Sequence, residues 1–238
     1  MGLPQADFGY RIATNQYGHF CLPEAYLHRE VPKRLLQGKV YEPATLQLIR
    51  RKAGSGDVVS GGAFVGDFFP AISEALADGA LLHSFEPNPI SHRAAEVTIA
   101  LNGLNNLRLS EKAVGNSPGR QVLQTERRDG SAIAAAARIN PDLSGDDPRG
   151  IPVDVVTLDT LVPADRQVSV LHLDLEGFEV PALEGAARIL RDHAPFVVLE
   201  GTRSRRQQTY LEALNRLTGS VCYHLVGTME RNSFFKAL

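Results

Sequence analysis

Three carboxylates in this sequence stand where a short apolar run stops. They are Glu86, Asp174 and Glu200. Short apolar runs of this kind predict buried strands of a parallel sheet, and open α/β sheets bind ligands at the carboxyl ends of such strands. Any one of these carboxylates alone could merely cap a neighbouring helix. Together they indicate a ligand crevice with an acidic lining.

A glycine turn precedes the first of these carboxylates. Gly61, Gly62 and Gly66 follow a predicted strand, as the glycines of a nucleotide-binding turn do. A dinucleotide site requires the pattern G-x-G-x-x-G, so that the backbone can approach a pyrophosphate. Ala63 and Phe64 occupy the positions where that pattern needs its second glycine, in either register. The turn therefore offers exposed amides but no dedicated phosphate cradle.

The position of Glu86 indicates which ligand the turn serves. Glu86 lies twenty positions after Gly66 and can accept hydrogen bonds from two ribose hydroxyls, while its charge would repel a 2′-phosphate. A ribose clamp without a phosphate cradle favours S-adenosylmethionine over NAD. An NAD- or nucleotide-binding Rossmann protein, and a structural turn in another α/β protein, are the alternatives.

Alternating strand and helix patterns position these residues. Residues 57–88 indicate a strand, the glycine turn, a helix and a second strand. Buried strands are predicted at 168–173 and 196–199, and residues 221–226 and 233–238 can pair as an antiparallel hairpin. Residues 116–152 give a weak pattern with one expected strand at 122–125. This order predicts a mostly parallel sheet with helices on both faces.

Length, charge and cysteine content limit the classes of protein. The 238 residues suit one α/β domain, and the net charge of −2 argues against nucleic acid or a membrane surface as the main partner. Cys21 and Cys222 are too few and too far apart for a disulfide framework or a zinc site. No signal peptide and no apolar run of membrane-spanning length is evident, so a cytoplasmic protein is expected.

The first forty residues differ from the rest of the chain. Residues 1–40 are rich in aromatic side chains and show no sustained period, whereas residues 41–238 carry the α/β pattern. We expect residues 1–40 to form an irregular arm that covers the sheet edge, or a lid that folds over the ligand.

Short motifs follow one another in a definite order through residues 41–202. They are Tyr41-Glu42-Pro43, Gly61-Gly62-Ala63-Phe64-Val65-Gly66, Phe85-Glu86-Pro87-Asn88-Pro89, Asn102, Ala113-Val114-Gly115, Thr157-Leu158-Asp159, Leu173-Asp174-Leu175-Glu176-Gly177-Phe178-Glu179, Leu183-Glu184-Gly185-Ala186 and residues 195–200. In these motifs the chain resembles the FkbM-type S-adenosylmethionine-dependent methyltransferases. The FEPNP and DxEGFE elements in this order are the most specific.

The resemblance implies a fold, a reaction and a binding site. The fold would be that of a class I, Rossmann-like methyltransferase, with a seven-stranded sheet whose last strand is antiparallel. The reaction would be methyl transfer from S-adenosyl-L-methionine, typically to a hydroxyl of a sugar, polyketide or other small metabolite, leaving S-adenosyl-L-homocysteine. A small-molecule acceptor is thus the expected partner, and a homodimer is left open. The expected cofactor-binding residues are Gly61, Gly62, Ala63, Phe64, Gly66, Asp67, Glu86, Pro87, Asn88, Ala113 and Asp174.

Three departures from the family pattern concern this site. The family usually has Asp where this chain has Ser60, Asn where it has Phe64, and Lys where it has His172. Ser60 removes a charge expected near the ammonium group of the cofactor, a role that Asp67 or Asp174 could take. The departures support one further alternative, a protein that binds the cofactor without catalysing transfer.

The chemistry suggests His172 and Asp174 as catalytic residues. Methyl transfer from a sulfonium is an in-line displacement, and an alcohol acceptor also loses a proton. His172 and Asp174 lie two positions apart on one predicted strand, hence on the same side of the sheet. His172 would take the proton, and Asp174 would orient it or hold the ammonium group. A histidine in a buried strand is more often a core residue, and His19 and Tyr17 are weaker candidates for the base.

Two further hypotheses concern charged groups near the crevice. Asp174, Glu176 and Glu200 could instead hold a divalent ion that acidifies the acceptor hydroxyl, but no metal is predicted because nothing fixes their mutual distances. The arginines within residues 203–206 would favour a phosphorylated or carboxylated acceptor if they face the crevice.

Overall fold

The computed structural model describes residue 4 and residues 6–238. In this part the strands are β1 (Tyr10–Asn15), β2 (Gly18–Pro23), β3 (Asp57–Gly61), β4 (Leu82–Phe85), β5 (Leu107–Ser110), β6 (Ala113–Val114), β7 (Gly119–Gln124), β8 (Arg138–Ile139), β9 (Gly150–Val156), β10 (Val168–Leu173), β11 (Phe196–Glu200), β12 (Tyr223–Met229) and β13 (Asn232–Ala237). The helices are α1 (Glu30–Leu36), α2 (Pro43–Lys52), α3 (Phe69–Ala75), α4 (Pro89–Leu101), α5 (Leu158–Leu161), α6 (Glu179–Glu184), α7 (Ala187–His193) and α8 (Ser204–Thr218). Among the described residues, no helix has the length and apolar character that crossing a bilayer requires.

A seven-stranded sheet forms the centre of the molecule. Its strand order is β12-β13-β11-β10-β3-β4-β5. The strands from β11 to β5 run parallel, and β13 runs antiparallel to both of its neighbours. The expected α/β fold on seven strands is therefore present, with a mixed sheet. The chain builds β4 and β5 on one side of β3 and then β10 and β11 on the other, which creates a switch point between β3 and β10.

The sheet separates two hydrophobic cores because successive residues of a strand point to opposite faces. On β3, Val58 packs with Leu46 of α2 and Ile72 of α3, whereas its neighbour Val59 packs with Leu190 of α7. All of these side chains are fully buried. Burial on both faces explains why the strands read as continuous apolar runs.

A hydrogen-bonded ion pair fixes the end of the sheet opposite the glycine turn. Asp57, at the start of β3, accepts hydrogen bonds from Arg166 Nε at 2.8 Å and from the Leu81 amide at 2.8 Å, and it contacts His83 Nε2 at 2.7 Å. Burial acts to raise the pKa of Asp57, whereas the hydrogen bonds with Arg166 and His83 lower it. The hydrogen bonds have the larger combined effect, so the pKa of Asp57 is lower than usual. This carboxylate therefore connects β3, β4 and the segment before β10.

A second sheet lies in the region where the sequence pattern is weak. It has four strands in the order β6-β9-β7-β8. The sequence led us to expect only one strand, at 122–125, so the prediction for residues 116–152 was incomplete. Strand β7 is largely exposed and lacks the apolar run that made the central strands recognisable.

The N-terminal segment is more regular than its sequence suggested. β1 and β2 form an antiparallel hairpin, followed by a 3-10 helix at Glu24–Tyr26 and by α1. The hairpin is bound to α4, because the Cys21 amide donates to Thr98 Oγ1 at 3.0 Å and the His19 amide donates to Asn102 Oδ1 at 2.9 Å. The segment is therefore regular where we expected it to be irregular, and its role as an arm or a lid stays a prediction.

Candidate active site

A cavity of about 360 Å³ lies at the carboxyl ends of β3, β4 and β10. From the set expected to bind cofactor or act in catalysis, the structure places these residues in its lining: Gly62, Ala63, Phe64, Asp67, Glu86, Pro87, Ala113, His172 and Asp174. Gly61, Gly66 and Asn88 lie behind that lining. The topology thus brings together residues that are more than a hundred positions apart in sequence.

The glycine turn owes its shape to close approaches between chain segments. A side-chain carbon on Gly61 would lie 2.1 Å from the Phe85 ring, and one on Gly62 would lie 2.0 Å from the Asp174 carbonyl oxygen. Gly62 also has φ +79°, in the left-handed region. Gly61 therefore serves packing, whereas Gly62 both permits the turn and faces the cavity. Gly66 packs beneath the Phe69 ring.

Two backbone amides orient the Glu86 carboxylate. The Phe64 N–H donates to Glu86 Oε2 at 2.8 Å, and the Asn88 N–H donates to Oε1 at 2.9 Å. Burial raises the pKa of Glu86 to about 7, against the effect of these two hydrogen bonds. A carboxylate oxygen can accept more than one hydrogen bond, so each oxygen keeps capacity for a ligand hydroxyl. Asn88 itself caps α4 by accepting from the Ile90 amide at 3.1 Å.

The two departures at positions 60 and 172 form a pair. Ser60 and His172 are register partners on β3 and β10, and Ser60 Oγ lies 2.9 Å from His172 Nδ1. The His172 ring stacks on Phe68, with ring centroids 5.7 Å apart. Burial lowers the pKa of His172 to about 4, so this imidazole is neutral at pH 7. Ser60, and not Asp174 as the sequence suggested, is the hydrogen-bond partner of His172.

Acidic groups gather beyond His172. Ligand atoms of Asp174, Glu176 and Glu200 all lie within 4.8 Å of one another. Burial raises the pKa of Asp174 well above its usual range, and the charges of Glu200 and Glu176 raise it further. Glu200 is compensated by Arg231, whose Nη2 lies 2.7 Å from Glu200 Oε1. Carboxylates this close can share a proton or bind a hard divalent cation, so the metal hypothesis has a geometric basis and stays a hypothesis.

The weaker candidates for a role in catalysis or acceptor binding lie elsewhere. Tyr17 Oη is held by Gln47, and His19 Nδ1 lies 2.9 Å from Thr14 Oγ1. Arg206 packs over Gly201 and approaches Glu200 Oε2 at 4.0 Å. The described cavity lining includes none of these candidates, namely Tyr17, His19 and the arginines of residues 203–206.

Several lining residues were not singled out as site residues from the sequence. They come from four places in the chain, namely residues 28–31 before and within α1, Tyr41 and Glu42, residues 134–139 around β8, and Arg231. Tyr41 and Glu42 belong to a motif of the family, which was the available signal. The other segments carry no signal, because only the folded chain brings them to the crevice.

The lining of the cavity is predominantly acidic. Among the described lining residues, six carboxylates face three guanidinium groups: Glu30, Glu42, Asp67, Glu86, Asp174 and Glu176 against Arg29, Arg138 and Arg231. Burial raises the pKa of Asp67 and of Glu86 to about 7, so these groups are only partly ionised at neutral pH, and an approaching cation would stabilise their charged forms. The volume falls in the range of about 300–1,000 Å³ that is usual for small-molecule sites.

Comparisons with known proteins agree on a family and a fold. A family model described as the methyltransferase FkbM domain matches residues 60–225. Among solved structures, the methyltransferase FkbM of Methylobacillus flagellatus KT is similar, with a TM-score of 0.54 and 15% identity over 77% of this chain and 44% of that chain. M. jannaschii TYW2, solved in complex with AdoMet, has a TM-score of 0.52 and 11% identity, covering 100% of this chain and 90% of that one. A putative rRNA-methylase from Clostridium thermocellum has a TM-score of 0.50 and 8% identity over 84% and 97%.

The extent of these matches defines what they show. A search of curated proteins found no match to the chain. The chain spans 44% of the length of the FkbM structure. At these identities the solved structures establish a shared methyltransferase-like α/β fold, and the family model places most of the chain in one family.

Proposed function

The chain belongs to the FkbM methyltransferase family, and from this premise we propose that it methylates a hydroxyl of a small metabolite, such as a sugar, a polyketide or another natural-product intermediate. The methyl donor would be S-adenosyl-L-methionine. The observation that carries the proposal is an acidic cavity at the switch point of the sheet, with Glu86 held at its wall.

The charge of the cavity supports a cationic cofactor. S-adenosylmethionine carries a sulfonium and an ammonium group, and both are favoured by the excess of carboxylates in the lining. NAD carries a pyrophosphate, which would not stabilise the charged forms of these carboxyl groups and which the turn at Gly61–Gly66 does not cradle. These two features disfavour the alternative of an NAD-binding protein.

Each end of the cofactor has candidate partners in the lining. Glu86 would accept hydrogen bonds from the ribose hydroxyls, and the backbone of the turn at Gly62 would contact the amino-acid tail. Ser60 cannot hold the ammonium group by charge, whereas Asp67 faces the same cavity. Burial raises the pKa of Asp67 to about 7, so a neighbouring ammonium group would stabilise its charged form.

The residues beyond the cofactor would position and deprotonate the acceptor. S-adenosylmethionine, when bound, would supply an activated methyl group. Asp174 is the better candidate for the base, since its pKa is raised and its side chain makes no hydrogen bond within the described part of the chain. His172 is a weak base, because its pKa is about 4, and we assign it a role in shaping the wall together with Ser60.

Binding calorimetry tests the proposal. We expect micromolar binding of S-adenosylmethionine and S-adenosylhomocysteine and no binding of NAD. Glu86→Ala should weaken binding of both by roughly 1–3 kcal/mol, because it removes the acceptor for the ribose. Glu74→Ala is a matched control, since it removes the same charge from an exposed pair with Arg50.

The outcomes separate the proposal from its rivals. Binding of NAD, or binding of the sulfonium compound that is unaffected by Glu86→Ala, would contradict it. Binding without methyl transfer to any of a panel of sugars, polyketides and phenols would favour the alternative of a catalytically silent binding protein.

A further inference from the structure

The N-terminal segment packs against the glycine turn, and one of the contacts is an aromatic pair. Tyr26 and Phe64 stack with ring centroids 5.8 Å apart and an interplanar angle of 30°. We propose that Tyr26 is a positioning residue for the cofactor site, because its ring holds Phe64 in the backbone conformation that directs the Phe64 N–H to Glu86. This inference rests on the proposed function.

Phe64 adopts a conformation that its residue type disfavours. Its φ is +46°, in the left-handed region that glycine and asparagine tolerate and bulky side chains do not. An asparagine at this position would adopt the conformation without external support. A phenylalanine keeps such a conformation only where the surrounding structure holds it.

Tyr26 provides that support from a rigid base. The exposed fractions of the Tyr26 and Phe64 side chains are 2% and 5%, and both belong to one hydrophobic cluster with Phe20 of β2 and Val97 of α4. The hairpin that precedes Tyr26 is tied to α4 through the Cys21 amide and Thr98 Oγ1. The Tyr26 ring is therefore fixed relative to α4, and Phe64 packs against a stationary partner.

The conformation of Phe64 bears directly on the ligand site. Its N–H donates to Glu86 Oε2 at 2.8 Å, and the Asn88 amide, which precedes α4, holds the other carboxylate oxygen. If Phe64 relaxed, Glu86 would keep one of its two backbone donors and could rotate away from the ribose position. The chain Tyr26, Phe64, Glu86 thus links the N-terminal segment to the cofactor without any contact between Tyr26 and the reacting atoms.

The test compares S-adenosylhomocysteine binding by the full-length chain and its variants in calorimetry. Tyr26→Ala should weaken binding about 5- to 30-fold, the range that corresponds to the loss of one supporting interaction. Tyr26→Phe keeps the ring and should bind within about 2-fold of the wild type. Tyr26→Leu fills most of the space but has no aromatic face, and it replaces Tyr26→Ala in the test if Tyr26→Ala does not fold. Tyr26→Leu should also weaken binding.

A second-site substitution distinguishes positioning from general destabilisation. Phe64→Asn introduces a residue that adopts a left-handed φ by itself, so adding Tyr26→Ala to Phe64→Asn should change affinity by less than about 2-fold. Phe196→Ala is the matched control, because it removes one ring of a stacked pair with Phe234 that lies away from the cavity. This control should lower thermal stability and leave affinity unchanged.

The results discriminate between the inference and its premise. If the wild type does not bind S-adenosylhomocysteine, the proposed function fails and the inference with it. If the wild type binds and folded Tyr26→Ala or Tyr26→Leu binds equally well, the inference alone is overturned. An equal loss from Tyr26→Ala in the wild-type and Phe64→Asn backgrounds would overturn it too.

Discussion

Ser60 and His172 show how two departures from a family pattern can compensate each other. The resemblance to the FkbM family implies Asp and Lys at these positions, where they would form an ion pair between neighbouring strands. This chain has a hydroxyl and a neutral imidazole at 2.9 Å instead. A buried pair can change from ionic to neutral when both members change, because neither then leaves an uncompensated charge.

A double-mutant cycle at these positions checks this interpretation. Ser60→Asp and His172→Lys should each lower the free energy of unfolding by roughly 2–4 kcal/mol, since each buries a charge without its partner. The double variant should recover at least about 1 kcal/mol of the summed loss, measured by urea unfolding. Additive losses would show that the two positions are not a pair.

Asp174 and His172 are distinguished as bases by their environments. Asp174→Asn should lower the rate of methyl transfer by roughly 10²- to 10⁴-fold and leave S-adenosylhomocysteine binding nearly unchanged, because it removes the proton acceptor. His172→Gln should have a smaller effect, since an imidazole with a pKa of about 4 accepts protons poorly. Transfer rates with a hydroxyl acceptor under single-turnover conditions measure both, and the reverse order would assign the base to His172.

A charged Asp67 should lower the stability of the ligand-free protein and strengthen the binding of S-adenosylmethionine, and both effects should depend on pH. Its folded pKa of about 7 is above the ordinary value of 3.8, so the stability that this group contributes is present below pH 4 and is lost as pH rises through 7. Asp67→Asn removes the cost of the buried charge. The ligand-free variant should therefore melt at a higher temperature than the wild type at pH 8, with a smaller difference at pH 5.

A measurement of cofactor binding complements this melting experiment. The same Asp67→Asn variant should bind S-adenosylmethionine more weakly at pH 8, because the charge that would face the ammonium group is gone. A variant that is no more stable than the wild type at pH 8 would contradict the burial of a charged Asp67.

At the scale of elements, the two ends of the central strands have separate tasks. The carboxyl ends carry the cavity, and the opposite end carries Asp57 with Arg166 and His83. Asp57→Asn should lower the free energy of unfolding by roughly 2–4 kcal/mol, because it removes the charged acceptor of the Arg166 guanidinium and a hydrogen-bond partner of His83. Asp154→Asn, in the exposed pair with Arg120, is the control and should change stability by less than about 1 kcal/mol.

Acid should abolish the contribution of Asp57. Its folded pKa is depressed, so its stabilisation is present above pH 4 and is lost as pH falls through the folded pKa. The difference in unfolding free energy between wild type and Asp57→Asn should therefore shrink at pH 3. At any pH where both are folded, they should bind S-adenosylhomocysteine equally. A lower affinity of Asp57→Asn would show that the two ends are not independent.

The burial of each element explains whether it could be predicted from the sequence. Strands β3, β10 and β11 are buried on both faces, so their apolar runs identified them and placed Asp174 and Glu200 at their ends. The second sheet was mostly missed because β6 and β8 have only two residues each and because β7 and β9 lack a continuous buried run. The N-terminal hairpin was missed because its aromatic residues follow no simple period.

The side-chain contacts within the site could not be predicted from the sequence, for a different reason. Ser60 and His172 are 112 positions apart and meet only through the register of β3 and β10. Tyr26 and Phe64 meet only because the hairpin packs on α4. Residue types and motifs could locate the crevice, but contacts between distant segments depend on the folded arrangement.

At the scale of the whole molecule, three parts of the chain line one cavity. Under the proposed function, the central sheet would supply the cofactor turn and Glu86, and the acidic group around Asp174 would line the space beyond the sulfur. The segments at 28–31 and 134–139 form outer walls of the cavity. The family model covers residues 60–225 and so includes the first two parts and the wall at 134–139. The wall at 28–31 lies outside that match, which makes it a place where acceptor choice can differ between relatives.

The most direct test of the account is a crystal structure of the chain with S-adenosylhomocysteine. We expect the ribose hydroxyls within hydrogen-bond distance of the Glu86 carboxylate, the amino-acid tail against the turn that contains Gly62, and the sulfur pointing toward Asp174. A ligand bound outside this cavity, or a cavity closed by the outer walls with no room for the nucleoside, would contradict the account.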